Sequence, residues 1–204
     1  MQPPQPPGRA VVLIPVKAFH LAKSRLSPEL SPAERAQLAQ AMAEAVLRAA
    51  SPLPVAVVCD DPAVAAWATE HRALVLRRPG SGLDQAVADG VDALVAEGFH
   101  RIVVAHADLP LARSLSWVAE FEGVTLVPDR RDDGTNVICI PADSGFVFAY
   151  GPGSFHRHAA EARRLGRGLR VMRDPALGWD VDVPSDLVLP ADPRQPCAMS
   201  PYNP

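Results

Sequence analysis

"AVVLIPVKAFHLAKSRL", residues 10–26, decides the fold. Ala10 to Val16 are apolar without alternation, so both faces of the strand they form must be covered. Such a strand belongs in the middle of a sheet with helices on either side. The run breaks at Lys17 into a loop that carries Lys17, Lys23 and Arg25. In open α/β sheets ligands gather at the carboxyl ends of the strands. Cations in a loop there are either a solvated basic turn or a grip for a polyphosphate, Arg as a fork and Lys as a point charge. The loop is not a P-loop, because the glycine-rich turn and the GK[ST] ending are missing.

Outward from this strand, short apolar runs alternate with helical patterns, which predicts an α/β fold with a largely parallel sheet. Residues 31–50 are the clearest helix. Ser31 and Glu34 suit a capping box, Pro32 suits the first turn, and Leu38, Met42, Ala45, Val46 and Ala49 form the apolar stripe. Further strands are expected at 54–60, 73–77, 100–108, 123–128, 136–141, 144–150 and 169–174, and helices at 63–71, 82–98 and 154–165. In the 82–98 helix Leu83, Val87, Val91, Leu94 and Val95 should face inward, with Gly98 ending it.

A chain of 204 residues with mean hydropathy near zero is expected to form one domain with a sizeable core. Nine of its 22 prolines fall in 1–8 and 190–204, which read as disordered arms around a folded region at 9–189. A net charge of −3 gives no bulk attraction to nucleic acid or to an anionic membrane. Cys59, Cys139 and Cys197 show no metal spacing, and the first two lie in apolar runs as buried thiols. With no apolar leader and no membrane-length span, a reduced cytoplasmic setting is expected.

Acids follow at other strand ends. Asp108 closes the apolar run "RIVVAHA" and reads either as a helix N-cap or as a metal ligand, while His106 reads as a packing residue. In "GWDVDVPSDL", 178–187, Asp180 and Asp182 stand two apart, which on a strand places them on one face. Adjacent carboxylates repel unless a cation or donors hold them; the bland reading is a solvated strand end. "DRRDDGTN", 129–136, is a polar turn in which Thr135 and Asn136 exceed what a turn needs. "YGPGSFHRH", 150–158, places Gly-Pro-Gly before a helix with Ser154 as expected N-cap, either an ordinary start or an anion site. His156 and His158 should lie on that helix's surface.

In that order "IPVK…AKSRL…LSPAERAQLAQAM", "GLDQAVADG", "ADLPL", "DGTN", "YGPGSFHRH" and "DVDVPSDL" resemble the phosphoenolpyruvate/2-phospho-L-lactate guanylyltransferases of deazaflavin coenzyme F-420 biosynthesis, over residues 11–188. The resemblance implies a single-domain, GT-A-like nucleotidyltransferase fold with a mixed, mainly parallel sheet flanked by helices. It implies transfer of GMP from GTP to a phosphorylated three-carbon acid, with Mg²⁺ as cofactor and pyrophosphate released. Asp108, Asp180 and Asp182 would hold the metal, and Thr135, Gly151 and Ser154 the acceptor. Lys17, Lys23 and Arg25 would grip the GTP phosphates, and Ser81, Gly82, Leu83 and Asp84 would lie near the nucleoside. Asp84 stands where the family pattern has Asn, an acid able to accept from guanine but unfavourable beside phosphate. Phosphoenolpyruvate is the expected acceptor, 2-phospho-L-lactate and 3-phosphoglycerate the alternatives, and a downstream transferase would take up the labile product. The rivals are a nucleotidyltransferase acting on molybdopterin or a sugar phosphate, and a non-catalytic GTP-binding protein of the same fold.

Overall fold

Alternate residues of the first strand enter two different cores. Val12, Ile14 and Val16 pack on one side of the sheet, Val11 and Leu13 on the other. In the computed structural model, which describes residues 9–190, this strand is β1, Ala10–Pro15. The expected arm at 1–8 and the tail beyond Pro190 lie outside the described residues.

Along the chain follow α1 (Pro32–Ala49), β2 (Val55–Cys59), α2 (Pro62–Glu70), β3 (Leu74–Arg77), α3 (Leu83–Ala96) and β4 (Arg101–Ala105). The rest comprises β5 (Val124–Pro128), β6 (Thr135–Pro141), α4 (Ser154–Arg164) and β7 (Leu169–Val171). The sheet has seven strands in the order β3-β2-β1-β4-β6-β5-β7. It is mixed and mainly parallel; β6 runs against both of its neighbours. A tight turn makes it do so. The Asp129 carboxylate accepts from the Arg131 and Asp133 amides, and the Asp129 amide donates to the Gly134 carbonyl. A connection that short leaves only the antiparallel pairing.

Residues of α1 and α2 fill one core, with Ala43, Val46, Val64 and Trp67, and residues of α3 and α4 fill the other, with Val87, Leu94, Phe155 and Ala162. α3 lies close on the sheet because Gly90 has no side chain: a Cβ there would stand 2.9 Å from Leu13 Cδ2. The capping box of α1 is formed, Ser31 Oγ accepting from the Glu34 amide and Glu34 accepting from the Ser31 amide.

Several sequence expectations need correction. Residues 144–150 form no strand. Phe146 and Phe148 are buried and Val147 is exposed, so the alternation is right, but no strand pairs with this segment. Its amides go to side chains instead: Val147 to Glu161, Ala149 to His158 and Tyr150 to Asp84. The segment around Asp180 and Asp182 is likewise outside the sheet. Leu83 and Val95, at the two ends of the α3 stripe, are 42% and 39% exposed rather than inward. Ser154 is the first residue of α4, and Gly153, at φ 73°, is its N-cap. His158 is fully buried, because the second core extends under that face of α4.

A small third core joins Leu26 from the loop after β1, Met42 of α1, and Val181. Val181→Ala should cost roughly 2 kcal/mol and lower Tm by several degrees. Thermal unfolding followed by circular dichroism checks this; an unchanged Tm would mean that the 180–182 segment is not anchored through Val181.

Candidate active site

β1 and β4 are neighbours, but their connections leave towards opposite edges of the sheet, so the topological switch lies between them. The loops following their carboxyl ends open there and leave a crevice. The basic loop follows β1 and Asp108 follows β4. A cleft of about 580 Å³ at this point is lined by Lys17, Lys23, Arg25, Ser81, Gly82, Leu83, Asp108 and Asp182.

The three cations differ. Lys17 and Arg25 are exposed, and no ion pair or side-chain hydrogen bond holds either among the described residues. Lys23 is the opposite case. Its Nζ donates to Asp108 Oδ2 at 2.7 Å and to Asp182 Oδ1 at 3.0 Å, with only 11% of its side chain exposed. Its backbone is left-handed, φ 54°, a conformation that costs a non-glycine residue about 1 kcal/mol. Burial opposes the charge on Lys23, but Asp108 and then Asp182 outweigh it and raise the ammonium pKa. Burial likewise opposes ionisation of Asp108; the charge of Lys23 and a smaller contribution from His106 override it and hold the carboxyl below its usual range.

Asp180 sits behind this pair and is buried. Its Oδ1 is 3.5 Å from both Asn136 Nδ2 and Arg130 Nη1. Burial first, then the charge of Asp108, raises its pKa. The segment carrying Asp180 and Asp182 is tied down from both sides. The Val181 amide donates to the Asp108 carbonyl, Arg130 donates to the Asp180 carbonyl, and Asn136 donates to the Leu177 carbonyl. With Val181 turned into the third core, Asp182 meets the Lys23 ammonium that Asp108 also holds, whereas Asp180 is buried against Asn136 and Arg130 and does not line the main cleft.

Asp186 supports that segment, a role that its place in "PSDL" did not reveal. Its buried carboxylate accepts from the Asp182 and Val183 amides, both at 2.9 Å, and from Arg130 and Arg131. Arg130 also stacks 4.3 Å above the Trp179 ring. Burial opposes ionisation of Asp186, but the two amides and the two guanidinium groups outweigh it and lower the pKa.

A divalent cation is the cofactor the resemblance implies. Among the described residues no three acidic, His or Cys side chains are gathered closely enough to ligate one ion as they stand. Lys23 accounts for this, since its ammonium lies between Asp108 and Asp182. The donor chemistry nevertheless fits a hard cation: carboxylate oxygens are the groups on hand, and Asp108 Oδ1 is buried without a hydrogen-bond partner.

The remaining sequence candidates lie on the α3/α4 side. Asp84 and Gly151 line an adjoining concavity with Gly82, Leu83, Gln85 and Tyr150. The Asp84 carboxylate accepts from the Tyr150 amide at 2.7 Å, which ties the start of α3 to the loop before α4. Thr135 and Ser154 are buried, with hydroxyls 3.5 Å apart. His158 Nε2 accepts from the Ala149 amide, so its proton is on Nδ1 and donates to Thr135 Oγ1 at 3.0 Å. Burial keeps this imidazole neutral, its pKa lowered to about 4. The free amides expected before α4 are partly used: Gly153 donates to Asp133 Oδ1 and Phe155 to the Asp133 carbonyl. Asp60 and Arg78, at the ends of β2 and β3, line the main cleft and were not singled out by sequence, since one acid or base in a loop carries no signal.

An open α/β sheet with cations and acids lining its switch-point cleft is the arrangement expected of the nucleotidyltransferase class. Solved structures agree on the fold. A Desulfovibrio desulfuricans G20 protein described as a nucleotide-diphospho-sugar transferase superposes with a TM-score of 0.71 at 16% identity, over 88% of this chain and 85% of that one. A 4-diphosphocytidyl-2C-methyl-D-erythritol synthase gives 0.57 at 15% identity, over 88% and 95%. The sequence matches the family described as "Guanylyl transferase CofC like" over residues 10–189. It is 34% identical to a phosphoenolpyruvate guanylyltransferase of Sphaerobacter thermophilus, over 87% of this chain and 90% of the relative. It is 36% identical to one from Rubrobacter xylanophilus, over 86% and 90%. The chain therefore belongs to the CofC-like guanylyl transferase family. It is a GTP-dependent nucleotidyltransferase.

Asp186→Asn should cost roughly 2–4 kcal/mol at pH 7, because two guanidinium groups lose a buried partner. The sign follows from the lowered folded-state pKa. The carboxylate's contribution is present above the ordinary Asp range and is lost as pH falls through the lower, folded-state value. Wild type and variant should thus converge in stability towards the acid limb. Urea unfolding at several pH values tests this, and a gap that stays constant with pH would remove the ionic role.

Proposed function

We propose that the protein transfers GMP from GTP to phosphoenolpyruvate, releasing pyrophosphate and giving an activated three-carbon precursor of deazaflavin coenzyme F-420. The observation that carries this reading is the union of Lys17, Lys23, Arg25, Asp108 and Asp182 in one cleft at the sheet's switch point. The names of the curated relatives favour phosphoenolpyruvate as acceptor.

In this reading Lys17, Arg25 and Lys23 hold the triphosphate, with Ser81–Asp84 beside the nucleoside. Asp108, Asp180 and Asp182 would hold Mg²⁺, which when bound would offset charge on the phosphates. Gly151 lines the acceptor's side, whereas Thr135 and Ser154, expected there from the resemblance, are buried and line neither concavity, so they would act on the acceptor from behind. Its phosphate oxygen attacks the α-phosphorus of GTP in line: one P–O bond forms, the bond to the β-phosphate oxygen breaks, and pyrophosphate leaves against the cationic loop. An acceptor phosphate is ionised at neutral pH, so no proton has to be removed. The neutral, structurally committed His158 agrees with a reaction that needs no general base. A labile product fits direct delivery to a downstream transferase.

Pyrophosphate release should occur with GTP, Mg²⁺ and phosphoenolpyruvate, and fall to background when ATP or CTP replaces GTP. Running 2-phospho-L-lactate and 3-phosphoglycerate in parallel identifies the acceptor; tight GTP binding with no release from any acid would leave a non-catalytic nucleotide-binding protein. A second expectation concerns Lys23. Lys23→Met should strengthen nucleotide-free Mn²⁺ binding by about tenfold, read by electron paramagnetic resonance, because the competing ammonium is gone. Weaker or unchanged Mn²⁺ binding would place the metal elsewhere.

A further inference from the structure

Besides Asp108 Oδ1, two buried polar atoms near the cleft have no partner among the described residues: His106 Nε2 and Tyr150 Oη. Both are side chains that the reaction as described leaves unused. Their rings are 5.0 Å apart, so they form one wall. His106 is two residues before Asp108 and lines the main cleft, while Tyr150 precedes Gly151 and lines the adjoining concavity. The wall therefore joins the main cleft, with Asp108 and Asp182, to the adjoining concavity, with Gly151, and an acceptor bridging the two would run along it.

Their surroundings make the contrast sharper. His158, packed 5.0 Å from the Tyr150 ring, has both nitrogens engaged, with the Ala149 amide and Thr135 Oγ1. Thr135 Oγ1 in turn lies 3.5 Å from Ser154 Oγ. The polar groups beneath the wall are thus satisfied internally. The wall itself is fixed through its backbone: the His106 amide donates to the Asn136 carbonyl and the Tyr150 amide to Asp84. A buried hydroxyl or imidazole left without a partner is destabilising, and is tolerated where a ligand completes it. Apolar residues of the same shape would have closed this wall at lower cost.

We propose that His106 and Tyr150 position the acceptor, donating hydrogen bonds from Nε2 and Oη to the carboxylate of a small phosphorylated acid. The pair gives two donors on rigid rings, which suits a planar carboxylate and leaves the acid's phosphate directed at the Asp108 side. This rests on the acceptor reading above.

The test is calorimetric titration of phosphoenolpyruvate into the full-length protein with Mg²⁺, with KM for GTP and for the acceptor measured alongside. Tyr150→Phe and His106→Phe keep the rings and remove the donors. Each should weaken phosphoenolpyruvate binding about tenfold and raise its KM, with KM for GTP unchanged and Tm equal to wild type or higher. His106→Gln, whose amide reaches the Nε2 position, should restore most of the binding. Equal binding by wild type and both Phe variants would overturn the positioning role and leave the acceptor reading intact. A fall in Tm with matching losses for GTP would make the wall structural and overturn it as well. If wild type binds no phosphoenolpyruvate, the acceptor reading falls and takes this inference with it.

Discussion

Keeping acids ionised where burial opposes their charge, as it does at both Asp108 and Asp180, is the constraint on which the site depends. Carboxylates this close to one another stay ionised only where cations and donors outweigh burial. Each acid is dealt with differently. Asp108 and Asp182 share the Lys23 ammonium, at 2.7 and 3.0 Å. Asp180 has only Asn136 and Arg130 at 3.5 Å, and it is the one whose pKa is raised. The left-handed backbone at Lys23 is consistent with this arrangement, since about 1 kcal/mol of strain is small beside the cost of a buried, uncompensated charge.

The same constraint explains why the 180–182 segment is held so firmly without belonging to the sheet. A strand in register with a neighbour would commit the amides along one edge to the ladder. Here the Val181 amide reaches the Asp108 carbonyl, the Asp182 and Val183 amides reach Asp186, and Val181 itself is anchored against Leu26 and Met42. The third core thereby connects the basic loop, α1 and the acidic segment.

Where a residue's partner is near in sequence, or its burial is symmetric, the amino-acid pattern was readable. The unalternating run of β1 placed it centrally, and the Ser31–Glu34 capping box placed the start of α1. The strand expected around Asp180 and Asp182 is absent, and the two carboxylates find different partners, Lys23 for Asp182 and Asn136 with Arg130 for Asp180. What escaped depends on distant partners. Residues 144–150 have the composition and alternation of a strand, yet their amides are claimed by Asp84, His158 and Glu161. The role of Asp186 has no local signal because Arg130 and Arg131, more than fifty positions earlier, are its partners. His158 looked exposed because nothing nearby in sequence announces Phe146, Phe148 and Tyr150 packing over it.

The two readings of the basic loop are separated by burial. Lys17 and Arg25 are exposed and would suit a solvated turn equally well. Lys23 would not, because an ammonium that is 11% exposed loses most of its hydration and is stable only with the anions it touches. Those anions are the acids that the family resemblance assigns to metal. A triphosphate entering the cleft brings a competing anion for Lys23, and release of the lysine uncovers carboxylates that then need another cation. If a divalent ion is held by Asp108 and Asp182 as proposed, nucleotide and ion would be thermodynamically coupled through one side chain: whatever draws Lys23 away from these acids would strengthen metal binding there by the same factor that metal binding strengthens its hold on the lysine.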